Sequence, residues 1–198
     1  MAKIVIGVTG TKAAGKDEFV KILENYGFHA FSLADIVREE AEGRGLPLTT
    51  ENLQDVGNEL RKLHGNAILA EMTTKKISKL QEASRIVINS IRNPAEVKFF
   101  QKQFGDRFFL IGIDADPEIR RERYLKREGV KPENFEKDNR RDLGEKESYG
   151  QQVKKCLEMA QEIIYNNGTL EELRKKAKEV LSSHIGIEKP TSQKEKES

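Results

Sequence analysis

The chain of 198 residues has one cysteine, no tryptophan, three histidines and no apolar run near twenty residues. A lone Cys156 excludes an intramolecular disulfide, and the simplest reading of it is a small buried side chain. His29, His64 and His184 stand at no metal-ligand spacing, which excludes a zinc site. With neither a secretory leader nor a bilayer-length segment, the expectation is a cytoplasmic protein with no membrane partner. The 35 Lys and Arg nearly balance 33 Asp and Glu, giving +2, and the two signs alternate along most helical stretches. No basic face for nucleic acid is expected. No internal repeat is visible, and no coiled-coil seam or long apolar patch fixes an oligomer, so monomer and homodimer both stay open.

The length suits one domain with a proper core, over residues 1–183. Apolar or β-branched runs recur at Ile4 to Val8, His29 to Ser32, Arg85 to Asn89, Phe108 to Ile113 and Ile163 to Tyr165, separated mostly by helical patterns. That alternation predicts a parallel five-stranded sheet with helices on both faces, an α/β fold. Leu53, Val56, Leu60 and Leu63 predict an amphipathic helix over 51–64 with Thr50 as its N-cap. About fifty residues between the second and third runs, roughly 33–82, exceed what a crossover needs and read as a helical acceptor-binding insertion. Gly129 to Gly150, charged and poor in large apolar residues, reads as an irregular mobile lid within about 120–150. The segment from Ile185 to Ser198 offers little to bury, so 184–198 is expected to be a disordered tail.

Gly10-Thr11-Lys12-Ala13-Ala14-Gly15-Lys16 follows the first strand and opens a helix. Gly10 and Gly15 let the backbone wrap closely around a phosphate, and the loop amides and helix N-terminus supply positive potential. Lys16 can reach the β- and γ-phosphates of a nucleoside triphosphate. Asp17 occupies the place where this pattern usually carries Ser or Thr, whose hydroxyl touches Mg²⁺. Its carboxylate either caps the helix or holds the metal, directly or through water.

Other charged residues group around the expected cleft. Arg120, Arg123 and Arg127 follow Asp116-Pro117 on one side of a helix, with Arg140 and Arg141 beyond. They either close over a phosphoryl group or pair with the interleaved acidic residues on a solvated face. Arg92, at the end of the third run, is placed for an acceptor phosphate or is an exposed turn arginine. Asp35 either meets an acceptor hydroxyl or base, with Arg38 on its phosphate, or caps a helix beside a surface ion pair. Arg61 falls on the polar side of its helix and reads as solvent-facing.

The segments GVTGTKAAGKD (7–17), FSLADIVR (31–38), VINSIRNP (87–94), DADPEIRRER (114–123) and NNGTLEEL (166–173) resemble the P-loop nucleotide kinases. The nearest branch holds dephospho-coenzyme A kinase, deoxynucleoside monophosphate kinases and adenylate-kinase-like enzymes. The resemblance reaches about residue 182, and only its first segment is highly specific. It implies a three-layer P-loop NTPase fold, ATP in the Gly10–Asp17 loop, and Mg²⁺ at its phosphates with Asp17 as the protein's ligand. It also implies a small-molecule phosphate acceptor bound by Asp35, Arg38 and Arg92. Lys16, Asp35, Arg123 and Arg127 would be the catalytic set, and Asn167 and Gly168 would flank the adenine. Members with Gly-Lys-Asp occur in this branch, whereas Asn89 replaces an expected Asp. The implied activity is ATP-dependent phosphorylation of a (deoxy)nucleoside monophosphate or, alternatively, of dephospho-coenzyme A. A reading from another class is a slow ATPase acting as a nucleotide switch or assembly factor.

Overall fold

The computed structural model describes residues 4–80, 84–126, 132–144 and 146–187. The five apolar runs form β1 (Ile4–Gly10), β2 (His29–Ser32), β3 (Arg85–Asn89), β4 (Phe108–Asp114) and β5 (Glu162–Tyr165). All pair in parallel, in the order β2-β3-β1-β4-β5. Alternate side chains along each strand face opposite sides of the sheet, so two cores form. Val5, Ile86, Ile88 and Leu110 enter one; Ile6, Val8, Val87, Ile111 and Ile113 enter the other.

The second core is covered by α1 (Lys16–Glu24) and α9 (Leu170–His184), through Phe19, Leu23, Leu173 and Leu181. The first is covered by α2 (Leu33–Gly43), α3 (Thr50–His64), α4 (Ile68–Ser78), α5 (Pro94–Phe104) and α8 (Val153–Glu158). The result is the expected three-layer α/β fold, with α2, α3 and α4 filling the long crossover between β2 and β3.

Several local expectations are corrected. The α3 cap is Thr49, whose side chain accepts the Asn52 N–H at 3.2 Å, one residue before Thr50. The buried residues of α3 are Gln54, Val56, Gly57, Leu60 and Arg61, whereas Leu63 is exposed. Val56 and Leu60 meet the core, and Gln54, Gly57 and Arg61 face a cavity, so polar residues lie inward. The stretch expected to be irregular contains α7 (Pro132–Leu143), joined to α6 (Pro117–Leu125) through Phe135 and Tyr124, whose ring centroids lie 5.2 Å apart. Phe135, Asp138 and Asp142, spaced three and four apart, form the buried side of α7. Charged residues with good helix propensity conceal that pattern in the sequence.

The tail expected from 184 also begins too early. Ile187 is buried among the α1 and α9 side chains, and its N–H donates to the Leu181 carbonyl at 3.0 Å. Residues 188–198 lie outside the described ones. Among the described residues no helix is long and apolar enough to cross a membrane. Ile187→Ala is expected to lower stability by about 2 kcal/mol, read as a shifted urea midpoint at unchanged slope, because a buried branched side chain is deleted.

Candidate active site

The carboxyl ends of β1, β3 and β4 converge, and the glycine loop grows out of the first. At Gly10, φ is 149° and a Cβ would stand 2.0 Å from the Ile113 carbonyl oxygen. At Gly15, φ is 100° and a Cβ would strike the Asn166 amide at 2.4 Å. Only glycine satisfies either position. Between them Ala13 takes a left-handed conformation, φ 61°, a strain of about 1–3 kcal/mol that its surroundings must hold. Thr11 Oγ1 donates to Asp114 Oδ1 at 2.6 Å, and Asn166 Nδ2 donates to the Ala14 carbonyl at 2.8 Å. Lys16 Nζ donates to the Gly10 and Thr11 carbonyls, both at 2.8 Å, so its ammonium lies inside the loop. No side chain caps α1, and its first turn borders a concavity of about 120 Å³ lined by Ala13, Gly15, Lys16, Asp17 and Glu18. Uncapped amides beside a lysine form a cradle for an anion.

A larger cavity, about 230 Å³, opens beside the loop. Its walls are Leu33, Val37 and Arg38 of α2, Gln54, Gly57 and Arg61 of α3, Arg92 after β3, and Asp142 of α7, with Lys12 and Lys16 at the loop end. Arg92 is thus brought to the chamber, where its Nη1 lies 3.3 Å from Asp142 Oδ1 and 3.3 Å from Gln151 Oε1. Arg38 also lines it and pairs with exposed Asp35 at 2.6 Å. Asp35 itself does not line the chamber, so this arrangement gives it the surface ion pair rather than the acceptor contact.

Arg61, expected in solvent, is buried. Its Nη2 lies 2.8 Å from Glu96 Oε1, with side-chain exposures of 2% and 0%. Glu96 Oε2 accepts the backbone N–H groups of Arg92 and Asn93 at 2.8 and 3.0 Å. The ion pair therefore ties α3 to the turn that carries Arg92. A charge can be buried so fully only when paired and hydrogen-bonded, as here. The signal in the sequence was the spacing of Gln54, Gly57 and Arg61 along one helix stripe.

Helix α7 reaches the loop. Lys12 Nζ pairs with Asp138 Oδ2 at 2.9 Å and lies 5.5 Å from the Tyr124 ring centroid, while Tyr124 Oη donates to the same carboxylate oxygen at 2.8 Å. Burial lowers the Lys12 pKa, and the Asp138 hydrogen bond and charge oppose that shift. Arg123 donates to the carbonyls of Asn166 and Gly168 at 2.8 and 3.1 Å, and so joins the loop expected at the adenine instead of the chamber. Asn167 Oδ1 accepts the Asp116 N–H at 2.9 Å. Arg127 lies outside the described residues. Arg120 donates to the Ala115 carbonyl and, at 2.6 Å, to Asn139 Oδ1, bracing α6 against α7. At the start of α1, Asn89 Nδ2 donates to Asp17 Oδ1 at 2.9 Å, and Asn89 Oδ1 accepts the Ser90 N–H.

The AAA domain family matches residues 6–144, from β1 through α7. Over 183 residues the chain is 32% identical to a UPF0200 protein of Pyrococcus horikoshii, covering 90% of this chain and 96% of that one. The chain belongs to the UPF0200 family and carries an AAA domain. It is also 36% identical over 179 residues to a UPF0200/UPF0201 protein of Archaeoglobus fulgidus, of whose longer sequence it spans about half, 54%. Among solved structures, TT1252 from Thermus thermophilus overlays with a TM-score of 0.61 at 18% identity, covering 94% of this chain and 100% of that one. Shikimate kinase from Aquifex aeolicus overlays at 0.50 and 14% identity, covering 90% and 98%. At these identities the likeness is one of fold alone, the P-loop kinase-like fold.

Arg61→Met, which strands the Glu96 charge, is expected to cost about 3–5 kcal/mol in chemical denaturation. Adding Glu96→Gln should recover part of that loss, because the neutral amide still accepts the Arg92 and Asn93 N–H groups. Asn89→Asp would set two carboxylates about 2.9 Å apart. The variant should lose about 1–2 kcal/mol in chemical denaturation at pH 7.

Proposed function

We propose that the protein is an ATP-dependent kinase that moves the γ-phosphoryl group to a nucleotide-like small molecule, a (deoxy)nucleoside monophosphate before dephospho-coenzyme A. The observation that carries this reading is the adjacency of the Gly10–Lys16 cradle to a separate chamber bearing Arg38 and Arg92. A donor site and an acceptor site that share Lys16 suit a direct transfer between two bound ligands.

The cradle amides and Lys16 would hold the triphosphate, and Asp17 would hold Mg²⁺. Asp17 lines both cavities, and its Oδ1 is oriented by Asn89. Among the described residues no group of three or more His, Cys, Asp or Glu forms a cation cage. A single carboxylate fits Mg²⁺, which keeps several waters and takes its remaining ligands from substrate phosphates. The ion, when bound, neutralises charge between the phosphates. Arg92 and Arg38 would fix the acceptor's phosphate, whose anionic oxygen attacks the γ-phosphorus while the bond to ADP breaks, with no proton to remove. Lys12 and Arg92 are held by Asp138 and Asp142 of α7. Phosphate groups compete with those carboxylates for the same cations, so ligand entry would loosen the hold of Lys12 and Arg92 on α7.

Radiolabelled ATP with a panel of nucleoside monophosphates and dephospho-coenzyme A is expected to label at least one acceptor. Lys16→Ala should lower that turnover by at least about 100-fold in a protein that stays folded, with a modest loss of melting temperature from the two hydrogen bonds to the loop carbonyls. Transfer to none of the panel, or near wild-type turnover in the variant, would reject the assignment. Hydrolysis without an acceptor would point to the ATPase switch instead.

A further inference from the structure

Among the described residues two that are not glycine hold a positive φ, Ala13 at 61° and Ser90 at 63°. That region of backbone space is costly for a residue with a Cβ, so a side chain kept there serves a purpose that glycine could not. For Ala13 the purpose is packing, because its methyl joins Tyr124 and Phe135 in a small apolar cluster. Ser90 offers a hydroxyl instead.

Ser90 directly follows β3, is 8% exposed, and lines the chamber together with Lys16, Asp17 and Arg92. Its backbone N–H donates to Asn89 Oδ1 at 2.7 Å, which supports the turn without using the side chain. Its hydroxyl oxygen accepts from Ser32 Oγ at 3.2 Å, long for a bond between hydroxyls, which centre on about 2.7–2.8 Å. So weak a bond does not explain a strained backbone. Ser32 Oγ in turn accepts the Ala34 N–H at 3.2 Å, so donation runs one way, from Ala34 through Ser32 to Ser90. Among the described residues no acceptor takes the proton of Ser90 itself. A chain of donors polarises along its direction, and this one ends on an O–H in the chamber wall. Such a donor calls for an oxygen on a ligand.

The neighbours of Ser90 indicate which oxygen. Asn89, one residue earlier, donates to Asp17 beside the cradle, and Arg92, two residues later, faces the chamber. Ser90 therefore stands between the side chain proposed to hold Mg²⁺ and the one proposed to hold the acceptor's phosphate, on the way from one ligand to the other. Donors aimed at the outer oxygens of a phosphoryl group in transit stabilise the charge they carry.

We propose that Ser90 is a catalytic residue whose hydroxyl donates a hydrogen bond to an outer oxygen of the phosphoryl group during transfer. This rests on the kinase reading above and adds to it a group from outside the glycine loop. No bond to the serine forms: the bond from phosphorus to ADP breaks, the bond to the acceptor oxygen forms, and the proton stays on Ser90 Oγ.

The test compares Ser90→Gly and Ser90→Ala with wild type. Glycine removes the hydroxyl and relieves the backbone, whereas alanine removes the hydroxyl and keeps the strain. In the transfer assay both variants are expected to lose at least about tenfold in kcat, with the KM for ATP and acceptor changed by less than about threefold. Ser90→Gly should nevertheless melt close to or above wild type. A serine with a purely structural role gives the reverse, a clearly lower melting temperature at full kcat, and that result overturns the proposal. A second measurement needs no acceptor: calorimetric titration with ADP and Mg²⁺, alone and with aluminium fluoride, a stand-in for the group in transit. Wild type is expected to bind ADP at least about ten times more tightly with the fluoride, and both variants should lose that gain while binding ADP alone as before. If one variant fails to fold, the other carries the same readouts. Wild-type kcat in a folded variant overturns the role of Ser90 and leaves the kinase standing. No transfer to any acceptor, with a fluoride gain that depends on Ser90, removes the kinase and keeps the contact to the phosphoryl group. A fluoride gain equal in all three proteins, or absent from wild type, overturns that contact.

Discussion

The seating of the helical insertion on the sheet depends on one carboxylate, that of Glu96. It is fully buried, takes the Arg61 guanidinium on one oxygen, and accepts the Arg92 and Asn93 backbone amides on the other. Those three donors come from α3 and from the turn after β3, so one charge fixes the distance between the insertion and the strand ends. Asn93 extends the linkage by donating to the Ser148 and Gly150 carbonyls, and the Gln152 N–H returns to the Arg92 carbonyl at 2.7 Å. Arg61, Glu96 and Asn93 are buried, so the loss of one of these three leaves another unpaired. The chamber owes its shape to this linkage, since Arg61 and Arg92 are both in its wall.

Helix α7 reaches three parts of the molecule by alternating charge. Lys137 and Arg141 pair with Glu51 and Asp55 of α3 at 2.9 and 2.8 Å. Asp138 and Asp142, each one residue further along, meet Lys12 of the glycine loop and Arg92. The two sets differ in worth. The Lys137–Glu51 pair is open to solvent and contributes about 0–1 kcal/mol, and the Arg141–Asp55 pair is open on its aspartate side. Asp138 and Asp142 are almost wholly shielded, so their cations matter far more to where the helix rests. Together with the contact of Phe135 on Tyr124, this places α7 over Ala13 and the loop with little apolar area.

Features set by neighbours in the chain were legible in the sequence. The five strands declared themselves by short β-branched runs, and the glycine loop by a spacing that only a tight phosphate-type turn requires. What depended on residues far along the chain was not. Arg61 reads as exposed until Glu96, 35 positions later, is seen beside it, and Arg123 reads as a phosphate ligand until the carbonyls of Asn166 and Gly168 are in place. The charged run around α7 hid a helix because its inward side is made of aspartates, whose burial makes sense only with Lys12 and Arg92 opposite. Ile187 reads as tail because Ile185 and Ile187, the last two apolar residues before a polar stretch, are too few to give a period, although the core between α1 and α9 accommodates both.

Asp17 and Asn89 look in the sequence like two separate departures from a familiar pattern. In the structure they are one, because the Asn89 amide donates to the Asp17 carboxylate at 2.9 Å. With a carboxylate already at the start of α1, a second one at the end of β3 would meet it at hydrogen-bond distance and repel it. An amide at that place removes the repulsion and supplies the donor that fixes the carboxylate, while its oxygen takes up the Ser90 N–H. That bond in turn supports Ser90 in its left-handed conformation, φ 63°, immediately before the turn of Arg92. The pair therefore carries one negative charge instead of two where α1 meets the end of β3, and couples its orientation to the arginine turn. Asp17 alone would leave two like charges in contact and Asn89 alone would leave no carboxylate at the site, so the residues are understood only together.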